Sequence, residues 1–225
     1  NEHNDRSFTF ARKPGADMLL DKSEIRDEDL KDCRIVQAGS CSLSAGPAVE
    51  ATEYAMARAK ELGKLVGFDI NYRNLMWKDD KKACTEKVLS ILKYVDFLKL
   101  SDEETLLLTG AAEPEEAAHR LLAQGVSCVA VTLGERGALV AVAGGMQTVP
   151  AFSSDPVDTT GAGDGFWGGF LHRMLTLDKR PAALTVADAA DCARWGNATA
   201  ALCITRRGGI PAMPALGDVQ ALLLR

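Results

Sequence analysis

Asp158-Thr-Thr-Gly-Ala-Gly-Asp-Gly-Phe-Trp-Gly-Gly-Phe170 sets a glycine-rich turn directly ahead of the apolar run Phe166 to Leu175, which has helical character. Gly161 and Gly163 can take backbone angles closed to other residues, so the N–H groups of the turn point outward together and form a nest for an oxyanion or phosphate. The positive end of the following helix adds to the same pull on negative charge. Asp164 falls in the first turn of that helix, facing whatever the nest holds. A base beside an anion hole suits phosphoryl transfer, in which a protein mainly positions reactants and neutralises developing charge. The plainer reading is a structural turn. A dinucleotide fingerprint is disfavoured, because its third glycine position is Phe166 and no apolar strand precedes Gly161. From these residues alone, anion binding and a structural turn both stay open.

Working outward, short apolar runs alternate with amphipathic stretches. Strands are expected at Ile35–Ala38, Leu65–Asp69, Tyr94–Leu100, Cys128–Thr132, Gly137–Val142 and Met146–Val149. Helices are expected at Pro47–Leu62, Lys81–Leu92, Glu113–Gln124 and Trp195–Ile204, the first opened by Pro47 and closed by Gly63. Repeated strand-helix-strand spacing with nearly continuous apolar strands predicts an α/β fold, a mostly parallel sheet with helices on both faces in three layers. Ligands in such folds sit at the carboxyl ends of the strands. The chemistry is therefore expected just after Ala38, Asp69, Leu100 and Thr132, where polar and glycine residues gather.

After Ala38, Gly-Ser-Cys-Ser-Leu-Ser reads as a loop in preference to the lining of a polyol pocket. Asp69, Asn71 and Arg73 follow the second strand, and this polar group suits hydrogen bonds to a polyol, with Arg73 able to grip a phosphate or carboxylate bidentately. Its plainer reading is a buried salt-bridge cluster under the site. Ser101 with Glu104 three residues later reads as a capping box. Gly134 and Gly137, following Thr132, close a hairpin or serve a ligand.

Composition narrows the class. The chain has 225 residues, of which 47% are hydrophobic and 25% charged, enough for one substantial core. A net charge of −5 without a basic cluster argues against nucleic acid as the main partner. Six scattered cysteines lacking a Cys-x-x-Cys pair, and three histidines without ligand spacing, point to free thiols in a reducing cytosol and away from a disulfide framework or a zinc site. No apolar run approaches a membrane span, and the polar start is neither a signal nor a transit peptide.

The Asp158–Gly169 segment resembles the C-terminal signature of the ribokinase-like (PfkB-type) carbohydrate kinases, and other segments along the chain match the same family in the right order. The resemblance implies that Asp164 deprotonates a sugar hydroxyl and that the amides of Gly161, Ala162 and Gly163 form the hole for the transferred phosphoryl group. Asp69-Ile-Asn71-Tyr-Arg73 with Trp77 resembles the Asp-x-Asn-x-Arg segment of the fructokinase and 2-keto-3-deoxygluconate kinase branches, implying sugar contacts by Asp69, Asn71 and Arg73. Ser101 to Glu104 stands in place of the Asn-x-x-Glu motif, with Ser101 replacing the usual asparagine, and implies that Glu104 acts on Mg²⁺ through water. Thr132, Gly134 and Gly137 resemble the nucleotide-binding strand-turn, and Asn197 with Gly208 lies by the same likeness near the adenine. Asp158 and Thr160 would complete a loop for a monovalent cation, potassium. The implied activity is ATP-dependent phosphorylation of a sugar hydroxymethyl group, with fructose as the expected substrate, 2-keto-3-deoxygluconate as the alternative, and a non-catalytic sugar- or nucleotide-binding relative as the reading from another class. Lid strands of this family often pair between subunits, implying a homodimer.

The family's opening Gly-Asp strand, Gly-Gly-x-x-x-Asn segment and Ala-rich helix have no counterpart here. Residues 1–20 resemble the lid and strand region that lies well inside a full member, leaving residues 21–225 as the ATP- and sugar-binding α/β domain. The expectation is a chain incomplete at its N-terminus, with an unpaired sheet edge and impaired activity on its own.

Overall fold

The computed structural model describes residue 12 and residues 14–224. The expected lid region at 1–11 and 13 lies outside the described residues. The remainder of that expectation, Ala16 to Leu20, forms no strand: Ala16–Met18 is a 3₁₀ turn, followed by another at Lys22–Glu24. An ion pair between Arg12 and Asp17 at 2.7 Å favours the turn over an extended segment.

Six strands form one sheet in sequence order: β1 (Ile35–Gly39), β2 (Leu65–Asp69), β3 (Phe97–Ser101), β4 (Cys128–Thr132), β5 (Ala138–Val142) and β6 (Gly145–Val149). β1 to β4 are mutually parallel, and β4 to β6 form an antiparallel meander. The sheet is thus mixed, with the expected parallel part carrying the ligand end. β1 is an edge strand among the described residues.

The helices are α1 (Asp27–Lys31), α2 (Ala48–Glu61), α3 (Lys81–Ile91), α4 (Asp102–Thr109), α5 (Pro114–Ala123), α6 (Ala162–Leu177), α7 (Val186–Cys203) and α8 (Leu216–Leu223). Successive right-handed crossovers that step in one direction across a parallel sheet place their helices on one face. Met56, Val88 and Leu121 of α2, α3 and α5 accordingly pack with Phe68, Leu98 and Val129 in one apolar cluster. The chain then doubles back through β5 and β6. It covers the opposite face with α6 and α7, where Phe166, Phe170 and Cys192 meet Phe97, Ala130 and Val140. Alternation along β3 assigns Phe97 and Lys99 to the α6 face and Leu98 and Leu100 to the other. Phe68 has no exposure, so its truncation to alanine would cost about 3–5 kcal/mol.

Candidate active site

α6 begins four residues earlier than the apolar periodicity indicated. Gly161 is its N-cap, at φ 81° and ψ 0°, a left-handed conformation that strains any residue with a β-carbon. This turn directs the amides outward. Ala162 N–H returns to the Thr159 carbonyl at 3.2 Å, so it is already engaged. Among the described residues the Gly161 and Gly163 amides have no hydrogen-bond acceptor, so the nest presents those two groups at the positive end of a 16-residue helix.

Asp164, exposed in the first turn of α6, borders a cavity of about 550 Å³ together with Asp69 and Asn71. Three side chains read as catalytic or sugar-binding in the sequence therefore meet in one space. The Gly39–Ser44 segment also reaches it: Gly39, Cys41 and Ser42 line the wall, correcting the reading of that stretch as a loop only. Asn71 holds a positive φ of 41°, which asparagine tolerates better than most residues. Arg73 is half-buried beside this loop, donating to the Tyr72 carbonyl at 3.1 Å, and among the described residues it makes no ion pair.

Asp69 behaves differently from a free sugar ligand. It is 6% exposed, and Lys99 Nζ donates to both of its carboxylate oxygens at 2.9 Å. Burial pushes its carboxyl up to about 6; Lys99 pulls it back, and the charges of Glu104 and Asp164 add to the upward push. Here the buried salt bridge foreseen as the plainer reading is present, and its partner, Lys99, was not singled out in the sequence.

The exits of β3 and β4 lie side by side, with Ser101 in register with Thr132. Glu104 accepts the Ser101 amide at 2.8 Å and the Tyr72 amide at 2.6 Å, so both of its oxygens hold backbone. Magnesium would accordingly meet Glu104 through water. No group of three acidic, histidine or cysteine side chains capable of holding a metal is found among the described residues. The turn carrying Gly134, at φ 60°, is tied to α4 by Arg136 on Asp102 at 3.0 Å.

Gly137 and Asn197 converge on the bend after β6. A β-carbon at Gly137 would stand 2.1 Å from the Val149 carbonyl oxygen. Asn197 is buried and spends both amide hydrogens on the carbonyls of Val149 and Pro150, each at 3.0 Å. These two residues fix the bend after β6, and Asn197 keeps no amide hydrogen for a ligand. Asp158 receives the Thr160 amide on one oxygen and the Gly208 amide on the other, both at 2.9 Å, so the expected cation loop and the glycine turn form one unit.

Trp167 and Gln37 are further cavity residues missed in the sequence, joined by Trp167 Nε1 donating to Gln37 Oε1 at 2.8 Å. A polar glutamine within an otherwise apolar strand was the available signal.

Comparisons with known proteins agree with this fold. Residues 1–216 match the pfkB family carbohydrate kinase description. A probable fructokinase-4 of Arabidopsis thaliana is 36% identical over 220 residues, covering 97% of this chain and 67% of the relative. The fructokinase of Vibrio cholerae O395, solved with fructose, ADP and calcium ion, superposes with a TM-score of 0.86 at 34% identity, covering 96% of this chain and 68% of that one. Aminoimidazole riboside kinase from Salmonella enterica gives a TM-score of 0.81 at 30% identity, over 96% of this chain and 70% of the other. The chain spans about two thirds of the length of these relatives. Such a match, running through the whole sheet and the Asp158–Gly169 turn, makes this chain a member of the pfkB family of carbohydrate kinases.

Proposed function

We propose that the protein transfers the γ-phosphoryl group of ATP to a hydroxymethyl group of fructose. The observation that carries this is Asp164 in the first turn of α6, beside the open amides of Gly161 and Gly163 and on the same cavity as Asp69 and Asn71. Asp164 takes the proton of the attacking hydroxyl, the hydroxyl oxygen bonds to the γ-phosphorus, and the bond to the β-phosphate oxygen breaks as ADP leaves. The Gly161 and Gly163 amides receive the charge that builds on the equatorial oxygens. Asn71 orients the sugar, and Thr132 and Gly134 border the nucleotide at the neighbouring strand exit. Bound Mg²⁺ would neutralise phosphate charge, and potassium would order the Asp158–Thr160 turn. Fructose is favoured over other sugars by the 36% identity to a probable fructokinase. All six cysteines are free thiols, which suits a reducing cytoplasm. No helix among the described residues is long and apolar enough to cross a membrane. A homodimer joined through lid strands completes the proposal.

The test is ADP release by the full protein with fructose, ribose, adenosine and 2-keto-3-deoxygluconate in turn. Fructose should give the highest kcat/KM. Release no faster than the sugar-free rate for all four would remove the assignment.

A further inference from the structure

Lys99 is a buried cation that stands beside the glycine nest. The residue is 5% exposed, on the α6 face of β3, directly across the parallel register from Asp69. A β-carbon built on Gly163 would lie 3.3 Å from its Nζ and 3.7 Å from its Cε. The ammonium therefore stands against the first turn of α6, whose dipole repels positive charge. Burying an ion pair strips water from both ions, and apolar residues fill such sites at least as stably. An ammonium has three N–H donors. Two go to Asp69, and among the described residues the third has no acceptor.

All of this becomes favourable once an anion docks at the Gly163 amide, because amide, helix terminus and ammonium then act on the same charge. Resting on the phosphoryl-transfer reading of the site, the geometry points to Lys99 as a catalytic residue for the transferred phosphoryl group, with Asp69 as the positioning residue that holds it. Lys99 keeps its protons throughout. It donates through its third N–H to an equatorial phosphoryl oxygen while the hydroxyl proton passes to Asp164. The absence of a side chain at Gly163 leaves the ammonium room to approach. Asp69 thereby acts through Lys99 in place of gripping the sugar.

The experiment compares the full protein with Lys99→Met and with the double variant Asp69→Asn/Lys99→Met. The single variant should lose about 100-fold in kcat with fructose KM within about threefold of wild type. Its affinity for ADP with magnesium and aluminium fluoride, read by titration calorimetry, should fall about 10-fold or more, while ADP alone binds nearly unchanged. The double variant leaves no unpaired buried charge, so it should melt close to wild type and still turn over slowly. Recovery of more than about a third of wild-type kcat by the double variant, or wild-type affinity of the single variant for the fluoride complex, overturns the inference. A wild type that phosphorylates no sugar overturns the functional reading instead, and the fluoride affinities then decide the role of Lys99 by themselves.

Discussion

Glu104 Oε1 accepts the Tyr72 amide at 2.6 Å, tying the strained turn after β2 to the first helical turn after β3. Asn71, at a positive φ one residue earlier, is held in the cavity wall by this bond. Hydrogen bonds to a charged acceptor contribute about 1.5–3 kcal/mol. Glu104→Ala should therefore raise the fructose KM about 10-fold or more, in addition to any change in magnesium dependence. Steady-state kinetics at saturating magnesium separates the two. A shift confined to the magnesium activation constant would show that the Tyr72 contact does not support sugar binding.

Asp164→Asn removes the proposed base while keeping the shape of the first turn of α6. Turnover should drop by roughly two to four orders of magnitude with ATP affinity near normal. A variant retaining more than about a third of wild-type kcat would sink the assignment.

Asp158 pins the Thr160 and Gly208 amides, so a monovalent cation at this turn would stiffen the loop that leads into the nest. Replacing potassium by tetramethylammonium at constant ionic strength should depress kcat. An unchanged rate would leave Asp158 as a turn former only.

Substitution of Arg73, half-buried with its hydrogen bond on the Tyr72 carbonyl, tests the substrate class. With neutral fructose as substrate, Arg73→Met should act mostly on kcat. A sugar acid would instead place the loss in KM, since a bidentate contact to a carboxylate is made in ground and transition states alike. No change in either parameter would remove Arg73 from the site.

Asp188 caps α7, accepting the Thr185 amide at 2.9 Å, and pairs with Lys179 at 2.7 Å. The Lys179 bond, followed by the Thr185 amide, lowers its carboxyl from 3.8 to about 2. The folded value lies below the unfolded one. The stabilisation is thus present above about pH 4 and is lost as pH falls towards 2. Asp188→Asn should lower the melting temperature by about 2–4 °C at pH 7. The gap between variant and wild type should close near pH 2. A constant gap across that range would show that the charge of Asp188 is not what stabilises the cap.

Leu65–Asp69 and Cys128–Thr132 were legible because each is a short apolar run bounded by polar or glycine residues. β3 was read three residues too early, since Leu92–Tyr94 closes as a 3₁₀ turn after α3. The first half of α7 shows no such run. Val186 to Arg194 is rich in alanine and aspartate, and it buries a narrow stripe, Ala189, Cys192 and Ala193, without a strong apolar period. Close approach to α6 makes that stripe sufficient: a β-carbon at Gly169 would lie 2.4 Å from Thr199 Oγ1.

The α/β class, the glycine-rich turn with Asp164 and the kinase family are legible in the chain alone, because each rests on short segments whose pattern is local. Local backbone geometry and periodicity act over a few residues and leave their mark there. The pairing of Asp69 with Lys99, the bond from Tyr72 to Glu104, and the two bonds from Asn197 to Val149 and Pro150 come from packing. Partners 30 or more residues apart are set by which strands lie side by side and in what register, a property of the packed sheet that no local pattern encodes.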